Sequence, residues 1–119
     1  MAYVDGFLLP VPKKHIEAYR RMARKAGKIW REHGALEFRE CAGDDLHPKG
    51  PVPFTRLGKA KPTETVFFSW IVFKSRKDRD RVNKKVMNDP RLQKMMEPGA
   101  MPFDHKRMAY GGFKISVDL

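Results

Sequence analysis

The sequence predicts one α+β domain, spanning residues 1–119, in which a four-stranded antiparallel sheet carries its helices on one face. The apolar run 65–74 is rich in β-branched and aromatic residues, a composition typical of a strand. Apolar residues recur at helical spacing over 12–33, and a helix-start signal stands at residue 75. With three further candidate strands, the order is strand, helix, strand, strand, helix, strand, which is the ferredoxin-like pattern.

A first strand is predicted over 3–10, followed directly by a long helix. Pro10 and Pro12 are predicted to end the strand, and Pro12 suits the first turn of a helix, where a missing N–H loses no partner. The helix is predicted to run to His33 on one apolar stripe. Gly34 then stands where helices commonly end in glycine.

A second strand is predicted over 35–42, and its two faces differ in character. Its apolar side chains share one face with Glu40, whereas Glu37 and Arg39 point to the other face. The stretch 43–62 that follows is rich in proline and glycine and predicts a long irregular connection. A connection of this length in a compact domain is usually functional, packs on a partner or is mobile.

The second half of the chain contains a strand, a helical region and a last strand. After the apolar run, Ser75 is predicted to begin a helix, with Asp78 as its capping partner. Asp89 can cap a further short helix, because Pro90 suits the first helical position. The last strand is predicted over 106–117, with a bend or bulge at its two adjacent glycines.

The apolar run is hydrophobic on both of its faces. The side chains of one face are Val66, Phe68, Trp70 and Val72, and those of the other are Phe67, Ser69, Ile71 and Phe73. Two helices on one side of the sheet cover only one of these faces. An exposed apolar face usually marks an interface, and the simplest cover is the sheet of a second copy. The sequence therefore predicts a homodimer.

The net charge of +11 invites a nucleic-acid interpretation. The basic residues, however, concentrate in 13–31 and 76–85, both predicted helices, where charge is more often a solvated face. The RNA-recognition motif shares this strand order, but its basic-glycine and inner-glycine signature is absent from 66–73. The sequence therefore does not favour nucleic acid as a partner, and a basic RNA-binding module stays the alternative.

The remaining global features point to a cytoplasmic protein. No apolar run is long enough to span a membrane, and the N-terminus lacks the pattern of a secretory signal. A lone cysteine, Cys41, fits a reducing compartment and is more typical of a small buried residue than of a nucleophile. None of the four histidines has a partner at metal-ligand spacing, so neither a metal nor a cofactor is predicted.

Seven stretches resemble a bacterial YbaA-like family of unknown function in the dimeric α/β-barrel superfamily. They are Tyr-Val-Asp-Gly-Phe at 3–7, Ala-Gly-Lys at 26–28, Glu-His-Gly-Ala-Leu-Glu at 32–37, Phe-Ser-Trp-Ile-Val at 68–72, Val-Met-Asn-Asp-Pro-Arg-Leu at 86–92, Met-Pro-Phe-Asp at 101–104 and Lys-Arg-Met-Ala-Tyr-Gly-Gly-Phe at 106–113. The resemblance covers nearly the whole chain and implies the fold and a dimer. It implies no reaction, since the superfamily includes cofactor-free monooxygenases, haem-handling enzymes, isomerases and ligand binders.

Charged residues of the predicted strands are the candidates for a ligand pocket. Glu37, Arg39 and Cys41 would face the dimer interior if the apolar side of their strand packs under the helices, and Tyr3 and Asp5 are placed on the same side. Asp5 or Glu37 would act as a base, and Arg39 or Arg107 would hold an anionic oxygen. An internal salt-bridge network explains the same residues without a ligand. The candidates are Tyr3, Asp5, Glu37, Arg39, Cys41, Trp70 and Arg107.

These observations together predict a homodimeric α/β-barrel protein that binds a small molecule in a barrel-side cavity of each protomer. A cofactor-free enzyme of unknown reaction is one form of that function. The methionines at 95, 96, 101 and 108 are interpreted as ordinary core filling. A purely structural dimer with a filled interior is the other alternative, in which Glu37 and Arg39 would pair with each other.

Overall fold

The computed structural model describes residues 1–119 and has the predicted ferredoxin-like architecture. Its elements are β1 (Tyr3–Pro12), α1 (Ile16–His33), β2 (Glu37–Ala42), α2 (Phe54–Leu57), β3 (Glu64–Phe73), α3 (Arg76–Met87), α4 (Pro90–Met95) and β4 (Ala109–Lys114). The four strands form one antiparallel sheet in the order β2-β3-β1-β4. The α+β fold class predicted from the sequence is confirmed.

The helix boundaries follow the local signals in the sequence. Helix α1 ends at Gly34, whose φ of 122° lies in the region that favours glycine. The hydroxyl of Ser75 accepts a hydrogen bond of 3.1 Å from the backbone N–H of Asp78 and caps α3. The carboxylate of Asp89 caps α4 in the same way, with Pro90 at the first helical position.

Strand β1 is longer than predicted, because it continues through Pro10 and Pro12. The N–H of Lys13 donates to the carbonyl of Thr63, just before β3, at 2.9 Å. The backbone groups of the odd-numbered residues of β1 therefore bond to β3, and those of the even-numbered residues point toward β4. Strand β4 pairs only with residues Tyr3 to Leu8. The missing N–H groups of both prolines therefore face a stretch with no partner strand, and they cost no hydrogen bond.

The last strand is shorter than predicted, since β4 spans Ala109–Lys114 instead of 106–117. Arg107 lies before it, in a 3-10 turn over His105–Arg107. Its guanidinium forms two hydrogen bonds of 2.7 and 2.9 Å with the carboxylate of Glu64 at the start of β3. These bonds attach the turn to the start of β3.

Cross-strand register decides which side chains lie under the helices. Asp5 pairs with Ile71, and residues directly opposite each other share a face. Asp5 is 1% exposed and Tyr3 is 7% exposed, both on the helix-covered face. Arg39 pairs with Trp70 on the opposite face, called the outer face below. The expectation that Tyr3 and Asp5 share a side with Glu37, Arg39 and Cys41 is therefore wrong.

The core under the helices consists of two separate clusters. One contains Ile29, Ala35, Ile71, Phe73, Val82, Val86 and Leu92, and the other contains Leu9, Val11, Tyr19, Ala23 and Phe67. Phe7 packs against both clusters. Where α1 crosses β2, Gly27 allows close approach, since a Cβ there would lie 2.6 Å from Cδ1 of Phe38. The space between the two clusters holds the candidate site.

Candidate functional site

A cavity of about 400 Å³ lies between the helix-covered face of the sheet and the helices, and not on the barrel side where the sequence predicted one. Its volume is within the range of small-molecule pockets. Most of its wall is apolar, and it includes six of the seven methionines of the chain, namely Met22, Met87, Met95, Met96, Met101 and Met108. Met95 and Met108 pack against the two core clusters, as core filling predicts, and together with Met96 and Met101 they also border the cavity. Flexible thioether side chains suit an adaptable binding surface.

Glu40 is the acidic group at the floor of this cavity, on β2. Its Oε1 accepts a hydrogen bond of 2.8 Å from the hydroxyl of Tyr19 and a second from the hydroxyl of Ser69. Its Oε2 accepts no hydrogen bond from the protein, and no fully buried side-chain oxygen or nitrogen lacks a partner. Oε2 is therefore not fully buried, and Glu40 borders both this cavity and a groove along the outside of α1.

The surroundings of Glu40 alter two proton affinities. Burial raises the pKa of the Glu40 carboxyl above its ordinary value, although the hydrogen bonds from Ser69 and Tyr19 act in the opposite direction. Burial, followed by the adjacent carboxylate, also raises the pKa of Tyr19. Tyr19 consequently stays a hydrogen-bond donor, and Glu40 is a carboxyl that can take up or release a proton beside an apolar space.

A second polar group borders the cavity at the start of β1. The carboxylate of Asp5 accepts hydrogen bonds from Arg79 at 2.8 Å and from Asn83 at 3.1 Å. Trp30 donates its indole N–H to the amide oxygen of Asn83 at 2.9 Å, and Arg79 donates to the hydroxyl of Tyr110 at 2.7 Å. This network connects α1, α3, β1 and β4 around one buried carboxylate.

The Asp5–Arg79 ion pair is largely removed from solvent, since the side chain of Arg79 is 13% exposed. The guanidinium also lies 4.9 Å from the ring centroid of Tyr3, in a cation–π contact. Burial and the negative charge of Asp5 raise the pKa of Tyr110. Both charges of the pair have partners within the protein, so neither is free to bind a ligand. The pair instead orients Tyr110 and Asn83 at the cavity.

The predicted charged residues of β2 meet Trp70 on the outer face. The indole N–H of Trp70 donates to Glu37 at 3.2 Å, and Arg39 donates to the carbonyl of Phe38 at the same distance. Glu37 and Arg39 therefore do not pair with each other within the protomer, so the pairing that would favour a structural dimer with a filled interior is not seen there. Cys41 is a half-buried free thiol on the same strand.

Three of the seven predicted residues border the cavity, and four do not. Asp5 borders it from the helix-covered face, and Arg39 and Trp70 belong to the strands that form its floor. The residues away from it are Tyr3, Glu37, Cys41 and Arg107.

Arg107 has a structural role instead. Its two hydrogen bonds, with a further one from the backbone N–H of Lys61, lower the pKa of Glu64 to about 2, although burial acts in the opposite direction. The Arg107–Glu64 pair fastens the 3-10 turn to β3.

The polar residues Tyr19, Glu40, Ser69 and Asn83 border the cavity and were not predicted from the sequence. Neither was Arg79, which lies outside the cavity wall and pairs with Asp5. A usable signal was present for Glu40, which shares a strand face with apolar side chains. A single acidic residue on the covered face of a strand needs a partner or a function. The polar series Glu37, Arg39 and Cys41 lies on the outer face of β2, and it therefore indicated the face opposite the cavity.

Two other kinds of site have no counterpart in the structure. No cluster of three or more histidine, cysteine, aspartate or glutamate side chains has a metal-binding arrangement. His33 instead contacts Asp89 at 2.9 Å, where the end of α1 meets the start of α4. Every helix is also too short or too polar to cross a bilayer.

Sequence comparison matches nearly all of the chain. A family model described as "Protein of unknown function (DUF1428)" matches residues 2–105. The protein YbaA of Escherichia coli K12, itself described as uncharacterized, is 47% identical over 119 residues and covers 99% of both chains. A protein of the same description from Shigella flexneri has the same identity and coverage.

Comparison with solved structures finds the same fold at low sequence identity. A putative antibiotic biosynthesis monooxygenase from Nitrosomonas europaea has a TM-score of 0.61 and 15% identity, with 94% of this chain and 88% of that chain covered. An uncharacterized NIPSNAP domain protein from Burkholderia xenovorans has a TM-score of 0.59 and 11% identity, with 94% and 92% covered. At these identities the likeness shows the fold alone.

Proposed function

Because the chain belongs to the DUF1428 family, whose description states no function, we propose from the cavity itself that the protein binds a small, mainly apolar molecule between sheet and helices. Glu40 contacts the polar group of that molecule. The observation that carries the proposal is a mostly apolar cavity bordered by Glu40, whose Oε2 accepts no hydrogen bond from the protein. Pockets of this composition bind through apolar contact and use a few polar groups to orient the ligand.

The chemistry of Glu40 favours a ligand with an exchangeable proton. When the carboxyl is ionised, Oε2 accepts a hydrogen bond or a proton from an acidic O–H of the ligand. When the carboxyl is protonated, the same position donates a hydrogen bond to a carbonyl oxygen of the ligand. Proton exchange of this kind needs no cofactor. A cofactor-free enzyme that uses Glu40 for proton transfer is therefore one form of the proposed function.

The homodimer is part of the same proposal, and the outer face supports it. Phe68 is 46% exposed and Phe113 is 60% exposed on this face. The short helix α2 covers only part of it, where the ring of Phe54 lies 5.7 Å from that of Phe68. A second sheet packed on the remainder would remove these rings from water. The cavity and its polar floor lie on the opposite side of the sheet, so the dimer leaves each cavity within its own protomer.

Light scattering tests the dimer. We expect a particle of twice the 13.8 kDa chain mass at micromolar concentration, and a monomer for Phe68→Glu. Circular dichroism establishes that this variant keeps its fold. A wild-type monomer across the concentration range would contradict the dimer and leave the cavity proposal standing.

Two probes that differ in one hydroxyl test the cavity. Naphthalene and 2-naphthol fit a pocket of this size, and Trp30 at its wall reports binding through quenching of its fluorescence. We expect saturable binding of both probes, with 2-naphthol binding about tenfold more tightly because its hydroxyl meets Glu40. Glu40→Gln should reduce this preference, and Glu37→Gln on the outer face is the matched control that should retain it.

A filled cavity separates specific binding from general stickiness. Ala26 borders the cavity, whereas Ala100 is exposed in the loop after α4. We expect Ala26→Phe to abolish binding of both probes and Ala100→Phe to leave it unchanged, with thermal melting used to establish that both variants are folded. Equal binding by the two variants, or no saturable binding by the wild type, would contradict the proposal.

A further inference from the structure

A basic groove of about 640 Å³ runs along the outside of α1, beside the edge strand β2. The helix wall contributes Arg20, Arg24, Lys28 and Arg31, and the strand contributes Phe38, Glu40 and Ala42. The cations recur about every four residues, so they form one row on the helix. The groove is separate from the function proposed above, although Glu40 and Phe38 belong to the walls of both spaces.

The floor of the groove is an unpaired strand edge. Strand β2 is the outermost strand of the sheet and pairs only with β3. The N–H of Gly43 donates to Val66 at 2.8 Å, which places the odd-numbered residues of β2 in the hydrogen bonds to β3. The backbone groups of Phe38, Glu40 and Ala42 therefore point outward. These are the strand residues that border the groove.

The groove also carries uncompensated positive charge. Arg24 and Lys28 are exposed and form no ion pair, and Arg20 pairs only with the exposed Glu17. Arg31 donates to the carbonyl of Leu36 and keeps its full charge. Of the two acidic residues that border the groove, Glu32 pairs with Arg91, whereas Glu40 forms no ion pair, so the cations of the row outnumber the carboxylates there.

The repeat distances of the two walls match. Residues four apart on a helix are about 6 Å apart along its axis. Alternate residues on a strand, which point to the same face, are about 6.6 Å apart. A strand added beside β2 would therefore place every second side chain near a successive member of the row Arg20, Arg24 and Lys28.

We propose that this groove binds an extended, acidic segment of another protein, which adds a fifth strand to the sheet at β2. Backbone hydrogen bonds to Phe38, Glu40 and Ala42 supply the main-chain pairing, and acidic side chains at alternate positions face the cations of α1. The exposed bond from Arg39 to the carbonyl of Phe38, at 3.2 Å, gives way to the added strand. The charge row admits acidic segments and repels basic ones, which protects the edge from indiscriminate pairing.

An extended peptide fits these features better than single-stranded RNA. Recognition of unpaired RNA uses exposed aromatic rings for base stacking, and the aromatic residues at this groove are the half-buried Phe38 and the buried Phe67. The outward backbone groups of β2, in contrast, have the spacing of another strand and no use in binding phosphates. RNA is therefore an outcome of the test and not the proposed partner.

The test uses a labelled nine-residue peptide in which Glu occupies every second position and Thr or Val occupies the positions between. Its binding is measured by fluorescence anisotropy at 50 and 200 mM salt. A control peptide has the same composition with all Glu residues at one end. A single-stranded RNA of equal charge is the second control. We expect saturable binding of the alternating peptide at both salt concentrations, at least fivefold tighter than either control. Equal binding of the scrambled peptide, or tighter binding of the RNA, would overturn the proposal.

Two kinds of variant separate the charge from the backbone contribution. Arg24→Glu with Lys28→Glu reverses the groove, and Arg21→Glu with Lys25→Glu makes the same charge change on exposed positions of α1 outside it. We expect a loss of at least tenfold for the first pair and less than threefold for the second. Ala42→Pro removes one outward N–H, is tolerated at an edge strand and should reduce affinity about fivefold. Equal losses for both charge pairs, or an unchanged affinity in a folded Ala42→Pro variant, would overturn it.

Discussion

Glu40 and Ser69 lie directly opposite each other on β2 and β3, and the hydroxyl of Ser69 donates to the same carboxylate oxygen that accepts from Tyr19. This relationship leaves the second oxygen of Glu40 without a hydrogen bond from the protein. It also places an ionisable group where burial opposes its charge, so the stability of the protein depends on the protonation of Glu40.

The first prediction concerns the pH dependence of folding. Burial raises the pKa of Glu40, so between the ordinary carboxyl value of 4.5 and the raised value the folded state binds more protons than the unfolded state. The contribution of Glu40 to the free energy of unfolding therefore falls as pH rises through that window. We therefore compare the free energy of unfolding of wild type and Glu40→Gln by urea denaturation from pH 4 to pH 8. As pH rises, we expect the wild type to lose stability relative to the variant. A constant difference would contradict the raised pKa.

The second prediction concerns the buried ion pair. Arg79→Met leaves the carboxylate of Asp5, 1% exposed, without its charged partner. We expect a loss of about 3 kcal/mol in the free energy of unfolding, because an uncompensated buried charge is strongly unfavourable. Arg81 on the same helix forms an exposed pair with Asp78, so Arg81→Met is the matched control and should lose less than about 1 kcal/mol. Equal losses would show that Asp5 does not depend on Arg79.

The third prediction concerns the close approach of α1 to β2. Alanine normally favours a helix over glycine by about 1 kcal/mol. At Gly27, however, the added Cβ would lie 2.6 Å from the ring of Phe38. We expect Gly27→Ala to lower the free energy of unfolding by about 1–3 kcal/mol, in line with other overpacked sites. Thermal denaturation checks it, and the same change combined with Phe38→Leu should recover part of the loss. A more stable single variant would contradict the contact.

The fourth prediction concerns acid stability at the 3-10 turn. The hydrogen bonds from Arg107 lower the pKa of Glu64 to about 2, from an ordinary value of 4.5. A lowered carboxyl pKa stabilises the folded state above pH 4.5, and this contribution is lost as pH falls toward 2. We expect Arg107→Met to be less stable than wild type at pH 7 and to approach it in acid. Urea denaturation at pH 7, 4 and 3 measures the difference, and a gap that stays constant over this range would argue against the pair.

The sequence by itself determined the order of the elements and most of their boundaries. Ser75, Asp89 and Gly34 act through hydrogen bonds and backbone angles within a few residues of themselves, so their effects are visible in the sequence. The two-sided apolar character of β3 likewise indicated a sheet with one face not covered by its own helices, which the exposure of Phe68 agrees with.

Only the tertiary structure decided which face carries the chemistry. A strand alternates its side chains with period two, so a sequence pattern gives two sets but not which set lies under the helices. The pairing of Asp5 with Ile71 and of Arg39 with Trp70 separates residues that the sequence placed together. The cavity beside Glu40 arises where two core clusters fail to meet, and that depends on packing among residues far apart in the chain.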